Sequence, residues 1–241
     1  MQEILSRMRA AITKYNMISD GDVVAVGVSG GKDSLILLSA MNRLSKFYPK
    51  KFTIKAITAD PCFDGAQTDY SKIENLCDTL GIEYIIKRTE LGNIIFNERK
   101  EKNPCSLCAR MRRGILHDLA KANGCNKIAL GHHYDDAIET FFMNLFNGGS
   151  IACFSPVTYL SNKDITLIRP MVLVPERMII NTTNRLDLPV TKSCCPADGV
   201  TERQNTKELI VKLSAKYPDL KAKVIGAMQR AGISGWGDIS D

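Results

Sequence analysis

Four short stretches of the sequence bring together residue types that could do chemistry. The first is Ser29-Gly30-Gly31-Lys32-Asp33-Ser34, which offers two glycines, two hydroxyls and a lysine. At the start of a helix, where N–H groups lack partners and the dipole is positive, such a loop is an anion site. It is not a Walker A loop, because Asp33 rather than Ser or Thr follows the lysine. It is not the Rossmann G-x-G-x-x-G either. The second stretch is Cys105-Ser106-Leu107-Cys108. With Asn103 as N-cap and Pro104 as first helical residue, its thiols fall three apart on one helix face. The helix N-terminus and Arg110, Arg112 and Arg113 favour thiolates there, as metal ligands or a redox couple. The third is Cys194-Cys195, within a loop over residues 192–198. Three or four thiols from two segments suit a four-cysteine zinc site or an iron–sulfur cluster, and spacing does not separate the two. The fourth is Gly131-His132-His133-Tyr134-Asp135-Asp136. One aspartate could bind Mg²⁺ or assist proton transfer, and a histidine could touch phosphate. The same residues would equally make a capped helix start.

These residues need a frame, and the chain between them alternates strands and helices. Residues 23–28 are almost wholly apolar, as in a parallel strand buried on both faces. Further strands are predicted at 52–58, 82–87, 127–130 and 166–169. Helices are predicted at 2–15, 33–46, 68–80 (stopped by Gly81), 109–123 and 135–147 (ended by Gly148-Gly149). The first should bury Ile4, Leu5, Met8, Ala11 and Ile12. Another helix starts near Pro175, and two more follow Thr201. Strand, crossover helix, strand, repeated, predicts an α/β fold built on a doubly wound parallel sheet, with ligands at the carboxyl ends of its strands. The expected divisions are an N-terminal helix over 1–20, a nucleotide-binding α/β domain over 21–150 carrying the C-x-x-C, and a smaller, mostly helical extension over 151–241.

Length and composition narrow the class. A chain of 241 residues with 44% hydrophobic and 24% charged residues is globular, neither disordered nor fibrous. No apolar run is long enough for a membrane span, and the start lacks a signal-peptide pattern, so a cytoplasmic protein without membrane partners is expected. With 32 basic and 26 acidic residues the net charge is +6, which suits a polyanion without demanding one. Eight cysteines in such a compartment should be reduced.

The loop Ser29-Gly30-Gly31-Lys32-Asp33-Ser34 after the first strand resembles that of the PP-loop ATPases, which split ATP into AMP and pyrophosphate. The resemblance implies that these six residues line the phosphates, that Ala59 and Asp60 lie where relatives contact adenosine, and that Mg²⁺ accompanies ATP. Cys105-Ser106-Leu107-Cys108 before an Arg-rich helix, Gly131-His132-His133-Tyr134-Asp135-Asp136, and the later Cys195-Pro196-Ala197-Asp198 with Arg203-Gln204 are similar to the tRNA 2-thiocytidine synthetase (TtcA) branch of that family. The likeness spans residues 1 to 230. It implies a [4Fe-4S] cluster on Cys105, Cys108 and a distal cysteine, placed at Cys195 by its distance from Arg203-Gln204. One iron would be left free of protein ligands for the incoming sulfur. Asp136, then Asp135, match the catalytic aspartate, and Arg112 matches a basic residue near ATP and cluster. The implied activity is ATP-dependent tRNA thiolation: adenylation of a pyrimidine C2 carbonyl, with Lys32 stabilising the displacement, then sulfur transfer. The family's usual product is 2-thiocytidine at position 32. Partners would be tRNA and a cysteine desulfurase or other sulfur donor, and relatives are often homodimers. Zinc-binding cysteine pairs near both ends, typical of 2-thiouridine relatives, are absent here.

Other readings stay open on the residues alone. A PP-loop sulfur transferase could act on another tRNA pyrimidine or a small nucleotide-like cofactor precursor. An ATP-binding protein could carry a structural zinc on Cys105, Cys108, Cys194 and Cys195. A lysidine-type ligase would leave the cysteines without a task. Cys62, Cys77, Cys125 and Cys153 read as structural, and His117 as a packed or exposed histidine. Trp236 reads as a packing anchor or an exposed ring. Two basic clusters, one over Arg99, Lys100, Lys102, Arg110, Arg112 and Arg113, the other over Lys207, Lys212, Lys216, Lys221, Lys223 and Arg230, suit RNA phosphates or solvated faces equally.

Overall fold

The computed structural model describes residues 1–99, 104–191, 195 and 202–237. Among them run α1 (Gln2–Lys14), β1 (Asp22–Gly27), α2 (Lys32–Phe47), β2 (Phe52–Asp60), α3 (Ser71–Leu80) and β3 (Tyr84–Arg88). Next come the short turn α4 (Leu91–Asn93), α5 (Pro104–Ala122), β4 (Lys127–Ala129), α6 (Tyr134–Gly148), β5 (Val157–Leu160) and β6 (Ile165–Ile168). Helices α7 (Glu176–Arg185), α8 (Glu202–Lys216) and α9 (Leu220–Arg230) complete the order.

One sheet, ordered β3-β2-β1-β4-β6-β5, organises the chain. Every neighbouring pair is parallel except β5 with β6. The two faces of β1 explain its unbroken apolar run. Val24 and Val26 join a core packed by α1, α2, α6 and α7, while Ala25 packs with Ile57, Ile128 and Ala120 of α5 on the other side. α1 buries the five residues its periodicity picked out, and Gly81 ends α3 at φ +69. Trp236 is an anchor: wholly buried, it donates through Nε1 to the Phe154 carbonyl at 2.8 Å.

Three differences from the sequence pattern matter. The sheet is mixed, because β5 adds an antiparallel edge that four residues of Val-Thr-Tyr-Leu do not announce. Residue 150 marks no break in the sheet, since β6 pairs with β4 in the main core. After β6 the described elements are helical, and α7 itself packs on α2. Thr68 lies outside α3, its N–H and hydroxyl both bonded to the Asp60 carboxylate. Asn103 as N-cap lies outside the described residues.

Connections after β1 run outward in both directions, to β2 and β3 on one side and to β4 and β6 on the other. The crevice between the carboxyl ends of β1 and β4 is thus the topological switch point, where such sheets bind ligands. The Ser29–Ser34 loop leaves β1 there, and Gly131-His132-His133 leaves β4.

Candidate functional site

The loop after β1 is pinned by its own hydroxyls. Ser34 Oγ donates to the Gly31 carbonyl at 2.8 Å and accepts from the Ser29 N–H at 3.2 Å. Gly30 sits at φ +86, where a side chain is strained, and an added Cβ would meet Thr191 Cβ at 3.0 Å. Gly31 is the N-cap of α2 and supplies no side-chain cap. The first N–H groups of α2 have no carbonyl four residues back to bond. Lys32 follows at once, its Nζ 3.1 Å from Asp33 Oδ2 and 3.1 Å from Glu176 Oε1. Burial alone would lower its pKa, but the two carboxylates outweigh that and hold the ammonium charged.

The second wall comes from β4. Gly131 approaches the first loop so closely that a Cβ would stand 3.4 Å from Asp33 C and Ser34 N. His132 lines the crevice, its ring 4.9 Å from that of Phe154. Burial, helped by Arg169, lowers its pKa to about 4, so it is neutral near pH 7. His133 caps α6: its Nδ1 accepts the Asp136 N–H at 3.3 Å, and its own N–H donates to Asp136 Oδ2 at 2.9 Å. The other Asp136 oxygen lies 3.4 Å from Arg203 Nη1, which also reaches Glu139 at 3.1 Å. Asp135 points elsewhere. Buried, it accepts the Glu176 N–H at 2.7 Å and pairs with Lys221, tying α6 to α7 and α9.

Between these walls lies a cleft of about 340 Å³ whose lining includes Ser29, Asp33, Ser34, Ala59 and His132. Its third side is α5, through Ala109, Arg112 and Arg113. The helix that begins with the C-x-x-C motif therefore faces the phosphate loop across one cleft. Asp33 Oδ1 and His132 Nδ1 are buried there without hydrogen-bond partners among the described residues. A hydrated cation and phosphate oxygens would satisfy both, so these residues fit ATP with Mg²⁺. Of the pair matched to adenosine contact, Ala59 lines the cleft, and the Asp60 carboxylate is bonded by Thr68 and by the Cys62 N–H at 3.2 Å.

The cysteines divide by environment. Burial pushes the thiols of Cys77 to about 11 and Cys153 to about 12, and raises those of Cys62 and Cys125, which makes all four poor thiolates. Cys108 is buried at the start of α5 among Leu91, Ile95 and Leu107, and Cys195 is half-buried. The Cys105 side chain and all of Cys194 and residues 196–201 lie outside the described residues. Among the described residues no three His, Cys, Asp or Glu side chains converge as metal ligands. The donor chemistry nevertheless fits a sulfur-bound cluster: two thiols at i and i+3 in one helical turn and a third on a separate segment. His117 sits half-buried in mid-α5, its pKa lowered by burial.

The pattern of residues in the sequence misses the role of α7 and α8. Glu176 reads as an ordinary first-turn acid, yet it bridges Lys32 and Lys207, the latter at 2.7 Å. Lys207 and Lys221, which suit RNA or solvent equally from sequence, pair with Glu176 and Asp135.

A family model described as "PP-loop domain" matches residues 2–193. The tRNA-cytidine(32) 2-sulfurtransferase of Citrifermentans bemidjiense is 39% identical over 228 residues, covering 93% of this chain and 89% of that one. Its counterpart in Geotalea uraniireducens is 39% identical over 227 residues, covering 93% and 90%. Among solved structures, the U34-tRNA thiolase NcsA of Methanococcus maripaludis, with its [4Fe-4S] cluster, superposes with a TM-score of 0.78 at 26% identity. That match covers 94% of this chain and 77% of that one.

Proposed function

The chain belongs to the PP-loop domain family, and from that premise we propose that it is an ATP-dependent, iron–sulfur-dependent tRNA 2-sulfurtransferase acting on cytidine 32. One observation carries the reading: a phosphate loop and a C-x-x-C helix face each other across a single cleft at the switch point of the sheet. ATP and the pyrimidine are the substrates that need both. ATP transfers its adenylyl group to the C2 carbonyl oxygen, pyrophosphate leaves, and sulfur then displaces AMP from C2. The loop N–H groups and Lys32 stabilise the charge on the leaving pyrophosphate. Asp33 holds Lys32 and its unpartnered oxygen would bind the hydrated Mg²⁺, while Ser29 and Ser34 keep the loop in shape. Gly131 and neutral His132 close the wall beside the α-phosphate, and Arg112 neutralises charge on the side of α5. Asp136, oriented by the His133 cap and Arg203, is the proposed catalytic carboxylate; Asp135 holds the helices that carry it.

Cys105, Cys108 and Cys195 would hold a [4Fe-4S] cluster, whose open iron supplies the binding position for sulfur. The sulfur would arrive at the sulfide level, as sulfide itself or from a cysteine desulfurase or other donor whose persulfide is reduced by an external thiol, so no cysteine of the chain is consumed. No helix among the described residues is long and apolar enough to cross a membrane. The substrate places the protein in the cytoplasm, and assembly as a homodimer is part of the proposal.

The decisive test is a mass-spectrometric census of thionucleosides in tRNA from cells with and without the gene. Loss of 2-thiocytidine alone supports the proposal. Loss of a different thionucleoside keeps the chemistry and replaces the base, and an unchanged census in a strain without a paralogue overturns it. In the purified protein, Cys108→Ala should lose the visible iron–sulfur absorbance and thiolation while ATP still binds. Retention of colour and full activity would remove Cys108 from the ligand set.

A further inference from the structure

The phosphate-loop lysine is shared. Its ammonium lies 3.1 Å from Asp33 on its own helix and 3.1 Å from Glu176, the first residue of α7. Glu176 in turn spends its second oxygen on Lys207 of α8, at 2.7 Å. Its side chain is 17% exposed, so water screens these contacts only in part. The backbone of Glu176 is fixed as well, because its N–H is bonded to buried Asp135. A rigidly placed carboxylate thus holds the cation that the reading above assigns to phosphate.

We propose that Glu176 is a positioning residue that competes with phosphate for Lys32, with Lys207 setting how strongly it competes. This rests on Lys32 being the pyrophosphate-binding lysine of the proposed function. Two forces act in one direction. A phosphate oxygen approaching Lys32 must displace or share the Glu176 contact, and the carboxylate repels the incoming anion. Asp33 keeps the ammonium in place when Glu176 lets go, so orientation is not lost. Lys207 draws the same carboxylate toward α8 and away from Lys32. The arrangement favours release of pyrophosphate once the adenylyl group has moved, since Glu176 stands ready to take back the lysine.

The test is calorimetric titration of the full-length protein with Mg²⁺-pyrophosphate and with Mg²⁺-ATP, without tRNA. Glu176→Gln should bind pyrophosphate at least about fivefold more tightly, the size expected for loss of one partly screened competing charge. In turnover it should lower KM for ATP and make pyrophosphate a stronger product inhibitor. Lys207→Met should bind pyrophosphate about threefold more weakly, and this weakening should vanish in the Glu176→Gln background. A merely structural Glu176 would weaken binding when replaced. Unchanged or weaker binding by Glu176→Gln overturns the inference while wild-type binding preserves the proposed function. Wild-type protein that binds neither ligand overturns both. If Glu176→Gln does not fold, Lys207 decides: weakening by Lys207→Met with recovery in Lys207→Arg supports the competition, and no change refutes it.

Discussion

Two helix N-termini meet at the switch point, and they are built in opposite ways. α2 begins at Gly31, which has no side chain with which to cap the helix. α6 begins at His133, whose ring and backbone exchange hydrogen bonds with Asp136 in a closed capping box. The two stand in contact, since Gly131 abuts the backbone of Asp33 and Ser34. One end spends its donors on its own chain; the other keeps them for an anion. Over glycine a side-chain cap is worth roughly a few tenths of a kcal/mol, and α2 forgoes it where the phosphates are expected. Under the proposed function the anion-binding end of this crevice is α2, and α6 is a fixed wall that orients Asp136.

The largest consequence of that division falls on Lys32. Lys32→Ala removes the side-chain cation beside the open end and should reduce AMP formation at least about 100-fold, roughly 3 kcal/mol. Cluster absorbance should be unchanged. Loss of less than tenfold would mean that the backbone of α2 suffices and the comparison has been drawn on the wrong element. The next effect is on stability. Asp135→Ala leaves Lys221 and the Glu176 N–H without their partner, at a cost of about 2 kcal/mol in denaturant unfolding. The discount for Lys221 is that it is 39% exposed and can return to water. If Asp135→Ala instead left stability intact and abolished adenylation, Asp135 would replace Asp136 as the reacting carboxylate.

The sequence foreshadows these two ends unequally. The Ser29–Ser34 loop is legible because its residues are consecutive and follow a strand whose apolar run fixes its place in the sheet. Asp135 and Asp136 are adjacent and alike in type, and only the turn of about 100° per residue separates them. One is carried toward α7 and α9, the other toward Arg203. Glu176 and Lys207 were invisible for a related reason. Thirty-one positions apart, they become partners only because α8 returns across α6. β5 escaped notice because an edge strand of four residues carries almost no periodicity. Local chemistry was readable, then, and ion pairs closed by the return of the C-terminal helices were not.

Exchanging the designs of the two helix ends changes stability only slightly and separates their roles. His133→Ala opens the cap of α6 and should lower stability by about 1 kcal/mol with ATP affinity nearly unchanged. Gly31→Asp does the reverse at α2. Gly31 has φ −75, and its Cβ would lie 3.5 Å from Ser29 Oγ, so the backbone accepts the change without strain. The new carboxylate would cap the helix and favour its dipole, raising stability by about 0.5–1 kcal/mol. It would also occupy the N–H groups that the phosphates need and repel them, so nucleotide binding should be lost in the more stable protein. Calorimetric melting beside ATP titration reads both changes in one sample. Should Gly31→Asp be less stable than the parent, α2 already has a cap, and the open end would have to be sought elsewhere. A rise in stability with ATP binding retained would show that the N–H groups at the start of α2 are not the anion site.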